Sequence, residues 1–128
     1  MVQQVTEGVN IMVETFYQPL QSNPTNSEFL FAYRITIENL TQQPFRLLSR
    51  HWYIFESNAT QREVEGDGVV GQQPVIQPGE DYQYTSAVNL TSDIGKMHGT
   101  YLVENLFNNR KLTVAIPEFQ LVVPAKLN

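Results

Sequence analysis

The residues with the clearest chemical potential form a glycine-rich segment near the middle of the chain. Three glycines follow a Gly-x-Gly-x-x-Gly spacing there, and the segment consists of Gly66, Asp67, Gly68, Val69, Val70 and Gly71. Glycine adopts positive φ without steric cost, so such a segment could direct successive backbone N–H groups at one anion. It is therefore a candidate anion-binding loop for a nucleotide, a pyrophosphate or another small phosphorylated ligand.

Several features of the sequence weigh against nucleotide chemistry at this loop. Dinucleotide-binding loops place their phosphate at a helix N-terminus, but Pro74 and Pro78 follow too soon for a helix to begin. A Walker A loop needs Lys and Ser or Thr where this chain has Gln72 and Gln73, and the Asp67 carboxylate would repel an anion. Tight turns are the favoured alternative, with positive φ at one or more of the glycines and no helix after them.

The histidines and an acidic run are the next candidate ligands. His51 and His98 are the only imidazoles, and each could titrate near neutral pH or bind a metal. Zinc normally takes three or four protein ligands, so no two-histidine site is predicted. Glu63, Glu65 and Asp67 alternate along one strand face and could gather a hard cation, but a solvated edge that deters strand pairing is the favoured interpretation. No metal site and no cofactor are expected.

Nucleophilic catalysis has little support in the sequence. The chain contains no cysteine, which removes thiolate chemistry, disulfides and cysteine-ligated zinc. Ser49, Ser86 and Ser92 lack the Gly-x-Ser-x-Gly elbow that lifts a hydroxyl out of a sheet. Rings such as those of Trp52 and Tyr53 could stack on a base or dock a peptide, although one parity of rings has to fill a core. No catalytic residue is assigned.

Strands have to position these residues, because apolar side chains recur with a period of two along most of the chain. The strongest alternation predicts that one set of side chains faces the core: Phe29, Phe31, Tyr33, Ile35 and Ile37. The segment 45–56 is apolar in both parities, which predicts a central strand covered on both faces. A turn is expected at 57–60, and a bulge or an edge at Pro117. About seven or eight such strands predict an antiparallel all-β sandwich.

The composition predicts one globular domain spanning residues 1–128. With 128 residues and 41% hydrophobic content, the chain has room for one core and not for two. Eight Lys and Arg against 13 Asp and Glu give a net charge of −5, which repels phosphate backbones and anionic lipid, so neither nucleic acid nor a membrane is an expected partner. The N-terminal residues show no signal peptide, so a cytoplasmic location is expected.

Five separated blocks of the sequence carry a resemblance to one known family. They are 49–52, 64–74, 78–79, 84–86 and 95–101. In this order and spacing they closely resemble the ApaG family, over roughly 9–124. The resemblance implies an immunoglobulin-like or fibronectin type III-like sandwich and an association with cobalt and magnesium homeostasis. It also implies a protein-binding role, which is the one supposed for the related eukaryotic domain in F-box and polymerase-interacting proteins.

Two functions from different classes follow from these residues. The favoured hypothesis is a non-enzymatic binding or interaction module, in which exposed loops or a sheet edge hold a protein partner or a small phosphorylated ligand. The alternative is a nucleotide- or pyrophosphate-binding protein, in its strongest form a phosphohydrolase, that uses the loop 66–71. The scarcity of general bases beside that loop favours the first. The oligomeric state is left open, with a homodimer as one option.

Overall fold

The computed structural model describes residues 1–124 and contains nine β-strands. The strands are β1 (Val2–Thr6), β2 (Val9–Tyr17), β3 (Phe29–Asn39), β4 (Phe45–Glu56), β5 (Gln61–Asp67), β6 (Val75–Ile76), β7 (Asp81–Leu90), β8 (Ile94–Asn105) and β9 (Lys111–Val122). Two short 3₁₀ helices, Pro19–Gln21 and Pro24–Asn26, lie between β2 and β3. Across residues 1–124, no helix is long and apolar enough to cross a membrane.

The strands form two antiparallel sheets. One has the order β1-β2-β3-β7 and the other β5-β4-β8-β9, with β6 paired to β4. The predicted all-β sandwich is confirmed, with nine strands where about seven or eight were expected. The first strand lies outside the predicted series because its residues are mostly polar and exposed, so no apolar alternation marks it.

The core lies between the two sheets, and β3 lines it from the first sheet. The predicted inward set is confirmed: Phe31, Tyr33, Ile35 and Ile37 are buried, and Phe29 is half-buried and packs against the core. Strict alternation of side chains along the strand places these residues on one face. The facing sheet contributes buried residues from β4, β8 and β9, which completes a single hydrophobic core.

A β-bulge next to Leu48 changes which residues of β4 face the core. Phe45 and Leu47 are buried before the bulge, and Trp52 and Ile54 are buried after it. The extra residue exchanges the two parities. The buried residues of both parities therefore share one interrupted core face, whereas Tyr53 and Phe55 lie half-buried on the outer face, which corrects the expectation of two covered faces. The central position of β4, between β5 and β8, is confirmed.

A second bulge lies in β9 at Pro117. The pairing of β8 with β9 shifts between Met97 and Gly99, whose partners are Phe119 and Ile116. Between these two pairs, β9 has one residue more than β8. Pro117 lies in this stretch of β9 and has no N–H to donate to the neighbouring strand. β9 is also the terminal strand of its sheet. Both parts of the expectation for Pro117 are confirmed.

Candidate functional site

Four stacked rings cross the outer face of the β5-β4-β8-β9 sheet. The ring centroids of His51 and Tyr53 lie 4.4 Å apart with an interplanar angle of 18°. Tyr53 and His98 follow at 5.2 Å and 16°, and His98 and Phe55 at 5.7 Å and 10°. All four side chains are half-buried. We refer to His51, Tyr53, His98 and Phe55 as the ring row.

The local backbone explains how the ring row forms. After the bulge in β4, alternation sends the side chains of His51, Tyr53 and Phe55 to the outer face. His98 joins them from β8 because it is the register partner of Tyr53. Lys96 extends the row, since its ammonium lies 5.8 Å from the centroid of the Phe55 ring. The row is thus held by the pairing of two strands.

Two carboxylates of β5 converge on the first ring of the row. Glu65 is the register partner of His51, and Glu63 lies two residues away on the same face. His51 Nε2 is 3.0 Å from Glu63 Oε2, and His51 Nδ1 is 2.9 Å from Glu65 Oε1. One ligand atom from each of the three residues lies within 4.8 Å of the others. This group has the donor types of a metal site.

The remaining sequence candidates for a metal are placed apart from this group. His98 is separated from His51 by the ring of Tyr53, which stacks on both. Asp67 is the register partner of Ser49, at the far end of β5. The two histidines considered as a metal site in the sequence analysis therefore do not form one. The candidate ligands that lie together are one histidine and two glutamates. Because β5 is the terminal strand of its sheet, the expectation of an acidic edge is confirmed.

The sequence contained a signal for the His51–Glu65 contact. β4 and β5 are joined by the turn predicted at 57–60 and run antiparallel to each other. Counting outward from that turn pairs Phe55 with Gln61, and by the same count His51 with Glu65. Hairpin register follows from loop length, so this pairing was accessible from the sequence.

The glycine segment is divided between a strand and a turn. Gly66 and Asp67 lie inside β5, paired with Arg50 and Ser49, which corrects the placement of all six residues in one loop. Gly68, Val70 and Gly71 have φ values of 62°, 46° and 77°. The expected positive φ is confirmed at two of the three glycines, and the segment that follows is β6, not a helix.

The N–H groups at the start of the turn are already used inside the protein. Gly68 N–H donates to the Leu48 carbonyl oxygen at 2.8 Å, and Val69 N–H donates to the Gln72 carbonyl oxygen at 2.8 Å. The Val69 side chain is fully buried. These two donors therefore do not point at a ligand, and the geometry is that of a tight turn anchored by a core residue.

Arg50 links the turn to the sandwich interior. Its Nη1 donates to the carbonyl oxygens of Asp67 and Gly68, at 3.0 Å each. A Cβ on Gly66 would lie 2.8 Å from that nitrogen, so glycine leaves the space that the guanidinium occupies. Arg50, Glu65 and Asp67 are among the residues that line a surface depression of about 590 Å³ beside the turn.

Three tyrosines lie between the sheets near Arg50. Tyr84 and Tyr101 form a hydrogen bond between their hydroxyl groups. Burial raises the pKa of Tyr84 and of Tyr101 above the ordinary value of 10.0, and Arg50 offsets this in part. Burial likewise raises the pKa of Tyr33, against a hydrogen bond from Ser86 that lowers it. These hydroxyls stay protonated near neutral pH and so are poor general bases.

Comparison with known proteins gives a consistent match over nearly the whole chain. A sequence profile of the ApaG domain matches residues 19–105. Protein ApaG of Escherichia coli O1:K1 / APEC is 42% identical over 121 residues, which cover 94% of this chain and 95% of that protein. A crystal structure from Bordetella pertussis, of a protein named as ApaA, has a TM-score of 0.88 at 40% identity and covers 91% of this chain and 94% of that one. An X-ray structure of a structural-genomics target has a TM-score of 0.86 at 39% identity and covers 91% and 88%. By sequence and by structure, this chain belongs to the ApaG domain family.

Proposed function

We propose that this protein is a non-enzymatic binding module that holds a basic segment of a protein partner against the ring row. The observation that carries the proposal is the row itself, since four rings lie stacked and half-exposed on one sheet face. Flat rings at a surface accept arginine or lysine side chains through cation–π contacts and stacking. Because the four side chains are only half-buried, part of the row is open to a partner.

The charge around the row supports a basic partner. Glu63 and Glu65 border the row from β5 and are 62% and 68% exposed,. Glu118 borders it from β9, where its carboxylate lies 3.6 Å from Lys96. The whole chain carries a net charge of −5. Complementary charge of this kind speeds association and selects partners of opposite sign.

The chemistry of the interior supports a role without turnover. Burial raises the pKa of Tyr84 and Tyr101, so their hydroxyls stay protonated near neutral pH. The backbone N–H groups of Gly68 and Val69 already donate to backbone carbonyl oxygens. The family resemblance implies a link to cobalt and magnesium homeostasis. On this proposal the protein affects these metals through the partner that it binds. The paired strands of the sandwich hold the ring row in a fixed position for such binding.

The test is a titration of the full chain with a defined probe, followed by NMR of backbone amides. The probe is an acetylated hexapeptide of alternating arginine and glycine, and its glutamate counterpart is the charge control. We expect shifts at the ring row with the basic peptide only. Tyr53→Ala should lower the affinity by about two- to fivefold, as expected for one cation–π contact of about 0.5–1 kcal/mol.

Phe16→Ala provides a matched control on the other sheet. Phe16 is also an exposed ring, and the guanidinium of Arg34 lies 5.3 Å from its centroid. Its truncation should leave the peptide affinity unchanged. Equal losses in Tyr53→Ala and Phe16→Ala, or equal binding of the acidic peptide, would refute the ring row as the binding surface.

A second candidate is the binding of a nucleotide or pyrophosphate beside the glycine turn. The specific observation in its favour is Arg50, a guanidinium at the edge of the depression next to that turn. Arg50→Gln should then abolish the heat of binding when pyrophosphate is titrated into the chain. The carboxylates of Glu65 and Asp67 line the same depression and oppose an anion, which ranks this candidate second.

A further inference from the structure

We propose that His51, Glu63 and Glu65 bind a divalent transition-metal ion of the zinc type. The three residues offer one imidazole nitrogen and two carboxylate oxygens, and these atoms lie within 4.8 Å of one another. The two carboxylates contact opposite ring nitrogens of His51, so one of them has to turn to the other side of the ring before all three atoms reach metal–ligand distance, which is about 2.0–2.2 Å for zinc. The inference goes beyond the binding of a protein partner and does not depend on it.

The nitrogen ligand is held in place before any ion binds. The His51 side chain is 26% exposed, its ring stacks on Tyr53 at 4.4 Å, and Tyr53 stacks in turn on His98. Antiparallel pairing of β4 with β5 fixes Glu65 opposite His51. A ligand on paired strands loses little freedom on binding, and preorganisation of this kind raises metal affinity.

The two carboxylates supply both charge and adaptability. Glu63 and Glu65 are 62% and 68% exposed, so their side chains can turn toward a common ion without disturbing the core,. Their two negative charges match one divalent cation. One ring nitrogen of His51 binds the ion, and the carboxylate that contacts the other nitrogen turns to the same side of the ring to complete the site.

The donor set selects the class of ion. Imidazole nitrogen suits zinc, nickel and copper, whereas magnesium and calcium prefer oxygen ligands alone. Three protein ligands leave at least one position for water, so the site is open to solvent. We therefore expect binding of Zn²⁺ and little response to Mg²⁺.

The experiment is a calorimetric titration of the chelator-treated full chain with ZnCl₂, with NMR of the histidine rings in parallel. We expect one equivalent to bind and the ring nitrogens of His51 to shift, with no shift at His51 in MgCl₂ of equal concentration. His51→Gln and Glu65→Gln should each weaken zinc binding by about tenfold or more. A thermal melt of each variant shows whether the fold is kept.

Glu118→Gln is the matched control, since this carboxylate lies on the same sheet face outside the cluster. The variant should bind zinc as the parent chain does. If His51 only holds the two carboxylates by hydrogen bonds, ZnCl₂ will not shift its ring nitrogens. That result, or an equal loss of affinity in Glu65→Gln and Glu118→Gln, would overturn the proposal. Because neither readout uses a peptide, its failure leaves the ring-row proposal untouched.

Discussion

The α-carbon of Gly99 lies directly against the backbone of His51. A Cβ built on Gly99 would stand 2.1 Å from the His51 carbonyl oxygen and 3.2 Å from the α-carbon of Trp52. Trp52 is the register partner of Gly99 in the pairing of β4 with β8. The two strands that carry the ring row therefore approach each other at a point where only glycine fits.

Gly99→Ala should destabilise the fold and disturb the ring row. The added methyl group meets rigid backbone, so the strands have to separate, at a cost of about 1–3 kcal/mol or more. A denaturant titration measures the loss in unfolding free energy. Gly79→Ala is the control for the same added methyl group, because a Cβ at Gly79 would have nothing within 4 Å and only its φ of +79° is unfavourable, at about 1 kcal/mol. A loss in Gly99→Ala no larger than the loss in Gly79→Ala would contradict the steric explanation.

Val70→Asn should stabilise the protein. Val70 has a φ of 46° and is 62% exposed, and the next residue, Gly71, has a φ of 77°. Positive φ at both central residues is the geometry of a type I′ turn, which favours Asn-Gly and penalises a β-branched residue. We expect a gain of up to about 1 kcal/mol in unfolding free energy. A loss of stability would show that the valine makes a contact worth more than the strain.

The buried tyrosines should make the fold sensitive to alkaline pH. Burial raises the pKa of Tyr84 and Tyr101 above 10.0 in the folded protein, so the unfolded chain releases these protons first. Their contribution to stability is complete below about pH 10 and is lost as the pH rises above it. Denaturant titrations from about pH 8 to pH 11 measure this, and Tyr84→Phe should reduce the slope. An unfolding free energy that stays constant over this range would contradict the prediction.

Purified protein should not hydrolyse ATP, diadenosine tetraphosphate or pyrophosphate in the presence of magnesium or cobalt. The glycine turn lacks the lysine and hydroxyl that organise phosphate and metal in a P-loop. The N–H groups of Gly68 and Val69 already donate to carbonyl oxygens of the protein. Phosphate release is the measurement. If the protein hydrolyses one of these compounds, and Asp67→Ala or His98→Ala abolishes the hydrolysis while the fold is kept, the protein is an enzyme and the proposal of a non-enzymatic module is wrong.

The strand content and the core of the sandwich were largely predictable from local patterns. Alternation in β3 predicted which of its side chains face inward, and Pro117 predicted the bulge in β9. The spacing of the glycines with Pro74 after them predicted a turn without a helix. Each of these conclusions depends on neighbours within a few residues, where side-chain alternation and backbone sterics act directly.

The candidate site was less accessible because it depends on strand pairing. The contact of His51 with Glu65 follows from a local hairpin and could have been found by counting outward from its turn. The contact of Tyr53 with His98 joins strands that are distant in the sequence. The bulge next to Leu48, which sends His51 to the outer face, is marked by no glycine or proline, and the apolar residues in both parities of 45–56 also fit a strand covered on both faces.

Hydrophobic alternation therefore determines that this chain forms a β-sandwich and which face of β3 is buried. The candidate surface depends instead on the bulge in β4 and on its long-range pairing with β8, which bring His51, Tyr53 and His98 together. The physical reason is that a shift of one residue in register moves every following side chain to the opposite face. The packing of the whole sandwich determines whether such a register shift occurs. The residues that the shift brings to the surface do not determine it.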